Sequence, residues 1–110
     1  MKLPHGENAR VGREKITDYL LSPSHPDGAG KAGFFGGYGF RAEEWEVLAQ
    51  ALRYHGQTHA VAKVIDSNFG SRYSIDGILE TPDGRHPVVR TVWILNKGSP
   101  EPRLVTAYPA

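Results

Sequence analysis

Five side chains of this 110-residue chain have the chemistry to handle a phosphate ester: His25, Lys31, Arg90, Thr106 and Tyr108. Thr106 and Tyr108 sit in the last strand-like stretch, 103–108. Strand alternation sends both to one face and Val105 and Ala107 to the other. Two hydroxyls about 7 Å apart on one face can hydrogen-bond a single phosphodiester. The plainer reading makes Thr106 a good strand former and Tyr108 an amphipathic filler. Arg90 lies in mid-strand, an unusual place for a guanidinium unless it is paired or faces a site, and its planar fork matches phosphate at two points. Its competing role is an ion pair with Asp76 or Glu80 on the neighbouring strand. Parity leaves two arrangements open. If Val88, Val92 and Ile94 face the core, Arg90 is drawn in with them; if Val89, Trp93 and Leu95 do, Arg90 is on the open face.

His25 and Lys31 straddle a turn and the start of a helix. A helix start with a lysine in its first turn favours anions, although the helix dipole ordinarily disfavours lysine there. His25 precedes Pro26, which holds its backbone extended. Histidine is the side chain that titrates nearest neutral pH, so it is the natural general base or acid; the alternative is a solvated turn histidine. His55 and His59 have an i,i+4 spacing, but Gly56 is expected to end the helix between them, and no third ligand of clear geometry is near, so no metal is expected. The run Gly33-Phe34-Phe35-Gly36-Gly37-Tyr38-Gly39 matches no phosphate-loop spacing and reads as a helix end.

The elements that must position these groups are legible from periodicity. Residues 1–12 are expected to be extended or poorly ordered. Ile16, Tyr19 and Leu20 mark a short amphipathic helix over 14–21, and two prolines in 22–28 prevent its continuation. A second helix is expected from Gly28 or Ala29 to the glycines Gly36, Gly37 and Gly39. A third runs from Ala42 to about His55, with Trp45, Leu48, Ala49 and Leu52 as its apolar stripe, and stops at Gly56. The period then changes to two. Stretches 58–65, 72–79, 87–95 and 103–108 read as strands, separated by the short turns Asn68-Phe69-Gly70, Pro82-Asp83-Gly84 and Lys97-Gly98-Ser99-Pro100. Helices first and hairpin-linked strands afterwards predict an α+β fold, with N-terminal helices packed on one face of a C-terminal four-stranded antiparallel meander.

The length predicts one domain over residues 1–110. Thirteen Lys+Arg stand against twelve Asp+Glu, and neither half is biased: 7 against 7 in residues 1–56 and 6 against 5 in residues 57–110. This excludes a protein that coats nucleic acid through bulk charge; a nucleic-acid contact has to come from a local patch. There is no cysteine, which excludes disulfides and thiolate metal sites. The polar start lacks an apolar leader core, and no apolar run approaches the ~18 residues of a membrane span, so a cytoplasmic location without membrane association is expected.

Several stretches taken together resemble a small uncharacterised bacterial family. They are Lys15-Ile16-Thr17-Asp18-Tyr19-Leu20-Leu21, His25-Pro26, Lys31-Ala32-Gly33-Phe34-Phe35 with Gly39-Phe40, Arg90-Thr91-Val92-Trp93-Ile94, and the Thr106-Ala107-Tyr108-Pro109 end. Members of that family occur alone, often beside a small second gene, or as the C-terminal piece of filamentous-haemagglutinin-type exoproteins. The order of elements with a terminal Thr-x-Tyr also resembles the superfamily of barnase, EndoU, colicin and RelE-type ribonucleases. That resemblance implies a metal-independent, cofactor-free toxin that cleaves RNA, such as tRNA or mRNA, by 2′-OH transesterification, with no role for DNA. It further implies a cognate antitoxin or immunity protein as partner. Thr106 and Tyr108 match the terminal-strand pair of some contact-dependent inhibition toxins of that group. His25, Lys31 and Arg90 fit its use of His, Lys and Arg without a fixed spacing. In that expectation His25 is the base, Lys31 and Arg90 stabilise charge on the phosphoryl oxygens, and Thr106 and Tyr108 orient the phosphate. The alternative expectation is a non-enzymatic antitoxin, immunity or protein-binding module on the same fold, with Trp93, Tyr73 and Tyr108 as interface anchors.

Overall fold

A computed structural model describes residues 1–110 of the chain. Three helical elements precede four strands. α1 (Arg13–Lys15) runs without a break into a wide π-helical turn, Ile16–Leu20. α2 spans Ala29–Gly37, and α3 spans Trp45–Thr58 after a 3-10 turn at Ala42–Glu44. The strands β1 (Val61–Ser67), β2 (Gly70–Ile78), β3 (Val88–Asn96) and β4 (Arg103–Pro109) pair antiparallel in the order β1-β2-β3-β4. The expected α+β fold with a C-terminal meander is therefore the observed one.

Register assigns the two faces. Tyr73 and Ile75 of β2, Val89, Thr91 and Trp93 of β3, and Leu104 and Ala107 of β4 point inward with Leu48 and Leu52 of α3, Phe35 of α2 and the Ile16–Leu20 turn. Trp93 and Ile75 lose all contact with solvent. The opposite face carries the cross-strand row Asp76–Arg90–Tyr108 and, beside it, Ser74–Val92–Thr106. Of the two parities open to β3, the one that buries Val89 and Trp93 is realised, and Arg90 lies on the open face. The register shifts between Val92 and Trp93 opposite Thr106 and Leu104, leaving Val105 as an extra residue. This bulge allows Leu104 and Ala107 both to face inward while Thr106 and Tyr108 face out.

Two expectations are corrected by long-range packing. Gly56 does not stop α3, which continues to Thr58, so the next strand starts at Val61 rather than near Thr58. A Cβ on Gly56 would lie 2.6 Å from Cζ2 of Trp93, so the glycine is there to admit the indole. With the helix unbroken, His55 and His59 do share a face, their rings 4.8 Å apart. Residues 1–12 are also ordered. Leu3, Ala9 and Val11 are buried, Arg53 donates to the Ala9 carbonyl, and Arg10 pairs along the outer edge of β4 through Arg10 N–Pro102 O and Leu104 N–Arg10 O.

Behind Arg90 the core contains a closed polar chain. Trp93 Nε1 donates to Thr91 Oγ1 (2.9 Å), and Thr91 Oγ1 lies 3.0 Å from His55 Nδ1. His55 Nε2 meets the carbonyls of Gly77 and Val89 at 3.1 and 2.9 Å. Only a neutral ring with hydrogen on Nε2 satisfies this set: the ring donates to the carbonyls and accepts from the Thr91 hydroxyl. Burial accordingly pushes the His55 imidazole below its ordinary value. Gly77 and Val89 are cross-strand neighbours next to Asp76 and Arg90, so this chain braces the stretch of sheet that carries the ion pair. The loop between β2 and β3 is tied to the end of α2: Arg85 donates to the Gly37 carbonyl (2.6 Å) and lies 4.4 Å over the Tyr38 ring.

Candidate functional site

The side chain that organises the site is Tyr19, which the sequence reading placed only on a core stripe. Its ring packs on the core while its hydroxyl hydrogen-bonds Thr106 Oγ1 at 2.9 Å, joining the helical layer to β4. His25 meets the ring edge-on, centroids 5.0 Å apart. The ammonium groups of Lys15 and Lys31 lie 5.3 and 5.4 Å from its centroid, cation–π contacts that hold two positive charges beside one phenol. Gly28 makes this geometry possible. A Cβ there would collide with the Tyr19 carbonyl, so only glycine lets α2 begin against the π turn.

His25 is fixed by its own turn. Its Nδ1 accepts from the backbone N–H groups of Asp27 (3.0 Å) and Gly28 (3.1 Å), a side-chain cap on the segment that leads into α2. With that lone pair engaged, the neutral ring carries its hydrogen on Nε2 and offers an N–H, not a lone pair, to anything outside. The role of base expected for His25 does not suit this tautomer; a donor role does. Lys31 donates one N–H to the Asp27 carbonyl (3.1 Å) and retains two.

Arg90 is paired. Nε donates to Asp76 Oδ1 (2.7 Å) and Nη2 to Asp76 Oδ2 (2.8 Å), a two-point contact across β2 and β3. Of the two carboxylates expected as competitors, Asp76 is the one engaged. The pair is not sealed beneath the helices, since the side chains remain 30% and 34% exposed. Hydrogen bonding from Arg90 lowers the Asp76 carboxyl below its ordinary value, and Asp76 first, then Tyr108, raises the Arg90 guanidinium. Arg90 keeps three N–H donors, and Tyr108 is its direct neighbour on β4.

The five expected residues thus form two adjoining groups. His25, Lys31 and Thr106 converge on Tyr19; Arg90 and Tyr108 face each other one residue pair along the same face of β3 and β4. The larger grooves of the molecule, about 490 and 450 Å³, are lined by other residues. Trp93 is fully buried and cannot anchor a partner, a correction to the interface reading; Tyr73 is 9% exposed and lines the groove of about 490 Å³. Reading the sequence for candidates missed Tyr19 and Lys15. The available signal was Lys15 one helical turn before Tyr19, on a stripe whose tyrosine hydroxyl needs a polar partner.

The geometry can be set against known proteins. The model of a family described as a domain of unknown function, DUF6883, matches residues 2–110. The chain belongs to this family. No curated protein matches. Among solved structures, the fold is similar to a chain of the contact-dependent growth inhibition toxin–immunity protein complex from Klebsiella pneumoniae 342. The TM-score is 0.72 at 19% identity, with 97% of each chain covered. At that identity the likeness is one of fold. No helix of this DUF6883 protein is long and apolar enough to cross a membrane.

Proposed function

We propose that this DUF6883 protein is a metal-independent endoribonuclease, the toxin of a toxin–antitoxin or toxin–immunity pair, acting in the cytoplasm. The observation that carries the proposal is the convergence of His25, Lys31 and Thr106 on Tyr19, beside the facing pair Arg90 and Tyr108. The fold it shares with a chain of a toxin–immunity complex supports a partner protein. In this reading the ribose 2′-oxygen attacks phosphorus and loses its proton to solvent. The bond from phosphorus to the 5′-oxygen breaks, and that oxygen takes a proton from the Lys31 ammonium. The products are a 2′,3′-cyclic phosphate and a free 5′-hydroxyl. His25 Nε2–H, the unengaged N–H groups of Arg90 and the hydroxyls of Thr106 and Tyr108 hold the non-bridging oxygens, where charge develops.

The test is cleavage of total RNA and tRNA by purified protein and by three variants. Arg90→Ala and Tyr108→Phe each slow cleavage ~10²-fold or more, the usual loss of one oxyanion donor. His25→Asn is the sharper probe, because an Asn oxygen can accept the same two backbone N–H groups and keep the turn while Nε2–H is lost. Full activity in a folded His25→Asn protein would show that His25 only caps the turn. Intact RNA, with no growth arrest on expression without the neighbouring gene, would favour the second reading, a non-enzymatic immunity, antitoxin or binding module. Phe69 and Ile65 at the β1–β2 hairpin, 81% and 52% exposed, support that reading as an apolar contact surface.

A further inference from the structure

A second concave feature adjoins the Tyr19 cluster and has no part in the chemistry just described. Between the N-terminal segment, α1 and the start of β4 lies a groove of about 310 Å³, lined by Arg10, Gly12, Glu14, Lys15, Arg103 and Leu104. Three cations from three different elements meet there against one lining carboxylate, Glu14. Lys15 and Arg103 have no carboxylate within ion-pair distance, and Arg10 has only a long, exposed contact to Glu101 at 3.4 Å. Such a surface pair holds an arginine weakly and leaves it available. The walls, by contrast, are firm. Arg10 N donates to Pro102 O at 2.8 Å and Leu104 N to Arg10 O at 3.0 Å, so the backbones carrying Arg10 and Arg103 are laced together.

Two links connect this groove to the cluster. Lys15 belongs to both, lining the groove while its ammonium lies over the Tyr19 ring. Arg103 and Thr106 share β4, three residues apart, a span of about 10 Å. A phosphodiester held at Thr106 therefore has its neighbour along an extended strand within reach of Arg103 and Arg10.

We infer that the Arg10–Lys15–Arg103 groove is a subsite for the phosphodiester next to the scissile one, so that the substrate is an RNA strand with a flanking phosphate. The choice of RNA as ligand rests on the ribonuclease reading. Its charge complement is a phosphate, and its open shape accepts a continuing strand rather than an enclosed small molecule.

The test separates the subsite from the chemistry. A 2′-O-methyl oligoribonucleotide, which cannot undergo transesterification, is titrated against the full chain, Arg103→Ala and the control Arg41→Ala over a fourfold rise in salt. Arg41 is also an exposed arginine with a long carboxylate contact, but it lies outside the groove. Arg103→Ala is expected to bind roughly tenfold more weakly at low salt. Its plot of log affinity against log salt should be shallower by about 0.7, one phosphate contact on a single strand. Across the salt range its affinity then falls about 2.6-fold less than that of the unaltered chain. Arg41→Ala leaves both values in place. Equal slopes for the chain and Arg103→Ala, or no binding by the chain, overturn the subsite and leave the groove to an acidic segment of a partner protein. Cleavage of the unmodified strand is followed in parallel. Cleavage with an unchanged slope sinks the subsite alone, whereas a changed slope without cleavage sinks the ribonuclease reading and keeps the groove.

Discussion

The polar chain behind the sheet makes stability depend on pH in a way that can be assigned to one residue. His55 is 1% exposed and neutral in its hydrogen-bonded set, and burial holds it below its ordinary value of 6.5. The charge on His59 pushes in the same direction, while the two backbone carbonyls and Asp76 oppose it. A group depressed on folding binds protons more readily in the unfolded chain. Its contribution is therefore complete above pH 6.5 and is lost as pH falls from there through the folded value. The ceiling is about 1.4 kcal/mol per pH unit, and because the unfolded histidine is half protonated at the start, the first unit below 6.5 removes at most about 1 kcal/mol. With a urea slope of ~1.5 kcal/mol/M for a domain of this size, the midpoint should fall between pH 6.5 and 5.5, by no more than roughly 0.7 M. His55→Gln removes the titration but retains one donor and one acceptor of similar reach. It should start less stable at pH 7.5 by about 1–2 kcal/mol and then lose little on acidification to pH 5. Urea midpoints for both proteins at half-unit steps decide the matter. Parallel decline of the two would show that the pH dependence arises elsewhere and that the His55–Thr91–Trp93 chain is not its source.

Two further perturbations test the packing that positions the site. Gly56→Ala should improve helix propensity by about 1 kcal/mol yet force a methyl group to within 2.6 Å of the indole, costing ~1–3 kcal/mol. The balance is a lower thermal midpoint, and a variant that melts higher would mean that Trp93 can yield. Tyr19→Phe keeps the ring beside the two lysines but removes the hydroxyl that joins Thr106, so stability should drop by about 1 kcal/mol. RNA cleavage should fall with it, measured on protein shown to be folded, while Tyr19→Ala, which also releases both lysines, should cost more.

Where the sequence could be read, the signal was local; where it failed, the deciding partner lay far along the chain. The stripe of α3, the change from helical to strand period, and the pairing of Thr106 with Tyr108 on one face each need only a few consecutive residues. The side taken by Arg90 was undecidable because β3 is apolar on both faces. Val88, Val92 and Ile94 match Val89, Trp93 and Leu95, and the tie is broken by contacts far along the chain: Trp93 fits against Gly56 of α3, and Val89 and Thr91 bond His55. The contact of Trp93 with Gly56 also explains the misread helix end, since an isolated glycine looks like a stop until the indole it admits is known. Residues 1–12 have no periodicity, so nothing in them announced that Arg10 would pair along β4. Tyr19 was legible as a core residue but not as the centre of the site, because its hydroxyl partner is 87 residues away.

The candidate side chains share one physical arrangement, and it bears on how a site without a deep pocket can hold a charged substrate. Most of them commit part of their hydrogen-bonding capacity to the scaffold and turn the remainder outward. His25 gives Nδ1 to its own turn and keeps Nε2–H; Lys31 gives one of three donors to Asp27 O; Arg90 gives two of five to Asp76; Thr106 shares its hydroxyl with Tyr19. Each such bond costs some attraction, and Asp76 in particular offsets part of the charge on Arg90. In return the donors are already oriented, so the entropy of fixing long side chains is spent in folding rather than in binding. A guanidinium held at two points presents its remaining N–H groups in a fixed plane, which a free surface arginine does not. The Asp76–Arg90 pair is thus compatible with a phosphate-binding role: it lowers the net charge of the strip while fixing the guanidinium of Arg90 across from its strand neighbour Tyr108.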